Sequence, residues 1–188
     1  NTAQSVWGLS GISVVTKDDS TTLKLYSNNH TFDAYKFNKV RLYFIDDDNA
    51  YKASLKANRA DSIIVSNDVN GCFKTFETGG LTDTIYFTFQ KDSDDVSSRL
   101  LIQGVELLND EPGITYSEVG VNGAEVKSFL KCHNLAPQLA SVNPDLVVIS
   151  LGTNDAYRIN FTDSVFYNYY DSLINIVQNA LPNSNILL

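Results

Sequence analysis

The sequence predicts an all-β half followed by an α/β half: a jelly-roll-like β-sandwich over residues 1–113, then a domain with a parallel sheet over residues 114–188. Two observations carry the division. Apolar and polar residues alternate up to about residue 118, and from about residue 120 the alternation gives way to helical spacing and one continuous apolar run. Turn-forming clusters then cut the first half into short segments, as an antiparallel sandwich requires.

The strands follow from period 2. In Val40-Arg41-Leu42-Tyr43-Phe44 the apolar members share one face, as do Ile85, Phe87 and Phe89 in Thr84–Gln90, and Leu23 and Leu25 alternate with Thr22, Lys24 and Tyr26. Between such runs stand Lys17–Ser20, Asp46–Asn49, Asn67–Gly71, Gly79-Gly80 and Asp92–Asp95, which together predict about eight or nine strands. In the second half, a strand is expected near Ile114–Val119. Val126, Phe129 and Leu130 then recur at helical spacing, and Leu135 and Leu139 continue that apolar face until Asn143-Pro144 ends it. Asp145–Gly152 shows no alternation, the pattern of a parallel strand covered on both faces. Phe166, Tyr169, Tyr170, Leu173, Ile176, Val177 and Ala180 mark an amphipathic helix stopped at Pro182, and Asn185–Leu188 opens another apolar strand.

Composition narrows the functions open to such a chain. With 43% hydrophobic and 19% charged residues, a 188-residue chain is a packed globular protein, able to bury roughly 70% of its unfolded surface. Its 22 Asp+Glu exceed its 14 Lys+Arg, a net charge of −8, which argues against nucleic acid and anionic membrane surfaces as partners. The longest apolar run, Leu146–Leu151, is interrupted by Ser150 and falls far short of the roughly 18 residues of an integral membrane segment. No methionine is present, so sequence upstream of Asn1 is expected. The apolar run Asn185–Leu188 likewise implies further strands downstream.

Chemistry concentrates where strands meet helices. Gly120-Val121-Asn122-Gly123 precedes the first helix, and Gly152-Thr153-Asn154-Asp155 follows the apolar strand. Open α/β sheets place ligand sites at the carboxyl ends of their strands. A glycine there leaves its N–H uncrowded, and an asparagine amide is a neutral donor of two protons. Together they can donate to one developing oxyanion, the need of acyl transfer. Each motif alone is more often a cap or turn, and the pair at successive strand ends is what favours a site.

On these residues the sequence resembles the SGNH, or GDSL, hydrolase superfamily. Tyr116–Ala124 is similar to its second block and Pro144–Asp155 to its third, within a resemblance covering residues 114–188. The resemblance implies a three-layer α/β domain, here partial. Gly123 and Asn154 would complete the oxyanion hole, with Asn122 and Asp155 supporting them. The superfamily's Gly-Asp-Ser and Asp-x-x-His are absent: neither His30 nor His133 has an aspartate three residues earlier, and Gly8-Leu9-Ser10-Gly11-Ile12 misses the nucleophile-elbow pattern. The nucleophile is therefore expected upstream of Asn1 and the general base downstream of Leu188. The β-rich half would then be an insert between the first and second blocks, a layout similar to bacterial peptidoglycan O-acetylesterases whose sandwich resembles a carbohydrate-binding module. This implies a secreted, periplasmic or cell-surface bacterial enzyme acting on an acetylated glycan, with no cofactor. The alternatives are a non-catalytic carbohydrate-binding protein on a degenerate α/β scaffold, and a lipase-like or thioesterase-like hydrolase.

Other candidate sites are weaker. Asp46-Asp47-Asp48 and Asp92, Asp94, Asp95 lack the spacing of a calcium loop, and no metal is expected. Trp7, Tyr26, Tyr43 and Tyr86 are candidates for a sugar-stacking platform. Cys72 and Cys132 fall in different halves, and a bridge needs Cα atoms within about 7 Å. Titration of the denatured, unreduced protein is expected to find two free thiols; finding none would mean a bridge.

Overall fold

The computed structural model describes residues 7–27, 35–46, 49–57, 63–67 (backbone alone), 73–92, 94 and 96–188. They form two compact units, one of Val14–Tyr116 and one of Ser117–Leu188 together with the described part of Asn1–Ser13.

The first unit is built from antiparallel strands. A five-stranded sheet runs in the order β1 (Val14–Thr16), β8 (Leu100–Leu108), β3 (Phe37–Asp46), β6 (Phe73–Thr82), β5 (Ile63–Asn67). A three-stranded sheet runs β2 (Ser20–Tyr26), β7 (Thr84–Lys91), β4 (Tyr51–Ala57). The alternation read from sequence decides which side chains turn inward. Val40, Leu42 and Phe44 of one sheet and Ile85, Phe87 and Phe89 of the other are buried in a single apolar cluster with Leu55, Phe76 and Leu100. Phe87 sits at its aromatic centre, edge-on to Phe76 at 5.3 Å between centroids and stacked on Phe89 at 5.8 Å.

Some local expectations are corrected here. Gly79-Gly80 does not separate strands but lies within β6, where the register against β3 moves from Lys39↔Glu77 to Phe37↔Thr82. The extra residues form a bulge in which Gly79 takes φ +67, a conformation costly for residues with a Cβ. Tyr43 is not on an exposed platform: it is buried, its ring tilted against Phe73 and its hydroxyl 3.2 Å from Glu106 Oε2. Cys72, His30, Asp47, Asp48 and Asp95 lie outside the described residues.

In the second unit, β9 (Leu146–Val148) pairs in parallel with β10 (Asn185–Leu187). The helix α4 (Asp163–Ala180) buries Leu173 and Val177 in a cluster with Val126, Phe129, Leu135, Leu139 and Ile149. The single helix expected over residues 124–142 is instead two, α1 (Val126–Phe129) and α2 (Leu135–Val142). Pro137 explains the break, because its ring would clash with the carbonyl of residue 133 in a continuous helix, whereas proline is accommodated in a first turn. Asn143, at φ 48, closes α2 in the left-handed conformation, with its N–H on Leu139 O.

Three further expectations are not met. Residues 114–119 form no strand: Ile114 is 99% exposed and Tyr116 84%, and Pro112 and Gly113 just before them disfavour a ladder. The β9 strand is covered on one face only, with Val147 and Ile149 facing the helices and Leu146 and Val148 exposed. Trp7 to Ser13, expected in the sandwich, group with the α/β unit. Trp7 and Leu9 pack on its apolar cluster, Asn134 N–H donates to Trp7 O, and Leu9 N–H donates to the buried Gln138 side chain at 2.6 Å. The strands of the first unit are thus inserted, in chain order, between two pieces of the second.

Among the described residues no helix is long and apolar enough to cross a membrane. Phe87→Ala removes a fully buried ring with neighbours fixed in both sheets, and is expected to lower the unfolding free energy by about 3–5 kcal/mol in urea denaturation.

Candidate active site

Gly123 belongs to a tight turn. Ala124 N–H donates to Val121 O at 2.9 Å, and Gly123 supplies the φ of +77 that a type II turn demands at its third position. Asn122 precedes it without positive φ, and both residues are exposed. Among the described residues no acceptor meets the Gly123 N–H, so the donor is open to a ligand or water.

The second motif begins at Gly152, which takes φ +126 and leads into α3 (Thr153–Ala156). A Cβ at Gly152 would stand 3.2 Å from Phe166 Cζ, so both conformation and space favour glycine. Tyr170 of the same helix donates its hydroxyl to Ile149 O at 3.0 Å, fixing α4 against the end of the strand.

These two segments are joined directly. Asn154 Nδ2 donates to Ala124 O at 2.9 Å, one residue from Gly123, and its second amide proton remains for another acceptor. Asp155 is only 6% exposed, and its carboxylate oxygens accept the Val126 N–H at 3.1 and 3.3 Å. It thereby holds the start of α1 against α3. Thus Gly123, Asn154 and Asp155 come together, whereas Asn122 makes no contact with the second motif among the bonds described.

The sequence reading missed a third tie. Arg158 Nε donates to the Glu125 carboxylate, and Lys127 Nζ lies 3.4 Å from the same group. The hydrogen bond from Arg158 holds the Glu125 carboxyl below the ordinary glutamate range, with the charges of Arg158 and Lys127 adding to it against desolvation. Their separation of 33 positions follows no sequence rule, so only the neighbourhood of each to a motif pointed toward them. His133 is exposed in the turn between α1 and α2 and belongs to neither segment. Among the described residues no three His, Cys, Asp or Glu side chains cluster as metal ligands. Asp46 instead accepts the Tyr51 N–H at 3.0 Å, and Asp92 pairs with Lys52. Cys132 is a buried free thiol, its pKa raised by desolvation.

An open groove of about 160 Å³ adjoins these ties, lined by Glu125, Lys127, Arg158 and Asn160 and by the aromatic Phe161 and Tyr169. Charged and aromatic groups share its wall.

A parallel strand feeding a helix, with amide donors gathered at its carboxyl end, is where open α/β sheets place their ligand sites. The chain belongs to the GDSL-like lipase/acylhydrolase family, whose pattern matches residues 88–188, more than half of its length. The match begins within β7, so it extends beyond the α/β unit. A solved structure of a peptidoglycan O-acetylesterase has the same fold, with a TM-score of 0.64 and 22% identity over 98% of this chain and 49% of that one. The chain therefore spans about half the length of that structure. Family two carbohydrate esterases from Clostridium thermocellum, in complex with cellohexaose, and from Cellvibrio japonicus are more distant. They show 14% and 12% identity over 89% and 93% of this chain and 69% and 77% of theirs. Their TM-scores of 0.27 and 0.26 are too low for any structural argument. No curated protein sequence matches the chain.

Asp155→Ala leaves the buried Val126 N–H without its acceptor and is expected to cost about 1–3 kcal/mol of unfolding free energy, with Asp155→Asn restoring part of it. A depressed carboxyl pKa makes the Glu125–Arg158 tie fully present above the unfolded glutamate value and lost as pH falls through the folded one. Arg158→Gln should therefore move the Glu125 titration, followed by carboxyl-carbon NMR, toward the ordinary value. An unmoved titration would remove the tie.

Proposed function

We propose that this chain supplies the oxyanion-stabilising part of an SGNH-type serine esterase that removes acetyl groups from a glycan such as peptidoglycan or another polysaccharide. The observation that carries this reading is the hydrogen bond from Asn154 Nδ2 to Ala124 O, because it draws the asparagine amide beside the Gly123 turn. In the reaction, a serine oxygen attacks the acetyl carbonyl while a histidine takes its proton. The carbonyl oxygen gains charge and accepts from the Gly123 N–H and the free Asn154 amide proton. Asp155 does no proton transfer and acts by keeping the two donors in register. No Gly-Asp-Ser or Asp-x-x-His stands in residues 1–188, so the nucleophile and the base are assigned to residues outside them.

The groove lining supports the substrate class of this reading. Beside the mutually paired Glu125, Lys127 and Arg158, the groove offers Asn160 and Thr162 as hydrogen-bond partners for sugar hydroxyls and Phe161 and Tyr169 as rings for a sugar to stack on, next to the apolar Val165 and Phe166. This favours a glycan ester over a lipid or thioester substrate. The jelly-roll reading of the first unit is supported by strands that switch between its two sheets, with β1-β8-β3-β6 in one and β2-β7-β4 in the other. An exported enzyme of the bacterial envelope, needing no cofactor, fits such a substrate.

The test is an acetylesterase assay on the protein encoded by the complete open reading frame that contains these residues. Asn154→Ala is expected to lower kcat by about 10²–10³-fold and leave KM nearly unchanged, because the donor matters most once charge develops. An unaltered kcat would overturn the role of Asn154, and absence of Gly-Asp-Ser from that frame would favour a non-catalytic carbohydrate-binding protein.

A further inference from the structure

We infer that the outward face of the three-stranded sheet in the first unit is a binding surface for an anionic glycan, an extended sugar chain bearing carboxylates. The register sets the face out in rows. Lys24, Tyr86 and Lys56 stand side by side across β2, β7 and β4; Tyr26 lies in the row on one side of them, and Thr22, Thr88 and Ser54 in the row on the other. Tyr26 is 56% exposed and Tyr86 38%, so both rings are partly open to a ligand. The Lys24 ammonium stands 5.3 Å from the Tyr26 ring centroid and 5.6 Å from that of Tyr86, which holds it between them.

Charge decides the class of sugar. The chain carries 22 Asp+Glu against 14 Lys+Arg, yet the outward positions of these strands bear Lys24, Lys52 and Lys56 and no carboxylate. Lys52 is paired with Asp92 at the far end of the sheet, whereas among the described residues Lys24 and Lys56 meet no carboxylate. In the other sheet the cations of β3 are paired. There Arg41 lies 2.8 Å from Glu106 and Lys39 3.3 Å from Asp110. Cations left unpaired on an acidic chain give this face a local positive potential set against the net negative charge of the rest.

The two lysines flank the central strand, about 10 Å apart at two strand spacings. A carboxylated sugar chain laid across the strands meets Lys24 and Lys56 in turn, with a ring against Tyr86 between them and hydroxyl partners in Thr22, Thr88 and Ser54. Stacking on a tyrosine face supplies apolar contact, hydroxyl groups orient the sugar, and the ammonium groups select its charge. A lipid surface fits less well, because the face carries no large aliphatic side chain outward. Nucleic acid fits less well, because two lysines about 10 Å apart match few of its closely spaced phosphates.

Calorimetric titration of the 188-residue chain with oligogalacturonate and with its methyl-esterified form tests this, since the two differ only in exposed carboxylates. Binding requires no ester cleavage, so the outcome is independent of the esterase reading. The acid form is expected to bind, and to bind about fivefold or more tightly than the ester, with the preference shrinking at high salt. Lys24→Gln with Lys56→Gln should abolish that preference, and Tyr86→Ala should weaken both forms while Tyr86→Phe weakens neither. Equal affinity for the two forms, preference retained in the lysine variant, or no binding of either would overturn the assignment.

Discussion

A carboxyl group taken out of water must find hydrogen-bond partners, and the second unit uses that demand at Asp155. Its side chain is nearly covered, and it meets the Val126 N–H at the start of α1 across a separation of 29 positions. That N–H belongs to a first helical turn, where backbone donors lack partners within the helix. One group needs donors and the other needs an acceptor, so each settles the other's cost. The Asn154 amide and the Arg158 guanidinium then reach Ala124 and Glu125 on the two residues just before Val126. Three ties over three consecutive residues fix the turn that bears Gly123.

The sandwich depends on a different constraint, the period of its strands. Inward Val40, Leu42 and Phe44 oppose inward Ile85, Phe87 and Phe89, and a slip of one residue in either sheet would turn an entire apolar set to solvent. This is why the strands were legible in the sequence. The Gly79-Gly80 bulge was not, because a glycine pair marks a turn and an irregular strand alike. Tyr43 misled for a related reason. Alternation placed it outward, but Phe73 covers its ring and Glu106 accepts its hydroxyl, so a polar-face residue became buried.

In the α/β unit, local signals were read correctly where they were strong and misread where a partner decides. The Phe166–Ala180 periodicity matches α4 at its C-terminal end and begins three residues inside its N-terminal end. Pro137 carried enough information to divide α1 from α2, and the apolar spacing on either side of it masked that information. The segment 114–119 has strand-like composition but makes no ladder, and composition alone supplies no neighbour. Trp7 and Leu9 pack against residues more than a hundred positions later, a contact no local pattern contains. The candidate site shows the same split. Gly123, Asn154 and Asp155 were legible because each sits at a recognisable turn or strand end; the Glu125–Arg158 pair was not, because it exists only once both turns are folded.

The geometry also sets how strong the donor pair can be. Hydrogen bonds to a developing charge are worth most where water is excluded and donors need not reorganise. The second condition is met, since Asn154 is anchored through Ala124 O and the Gly123 turn is closed by its own hydrogen bond. The first is not met in this chain, where Gly123, Asn122 and Asn154 are all exposed. Preorganisation without desolvation leaves the donors partly occupied by solvent, and their differential preference for a charged oxygen is correspondingly small. On the proposed reading, covering by a bound sugar would exclude that water while leaving the anchored amides where they are. Residues 117–188 thus hold two anchored amide donors, and on the proposed reading their strength as an oxyanion site is set by whatever closes over them.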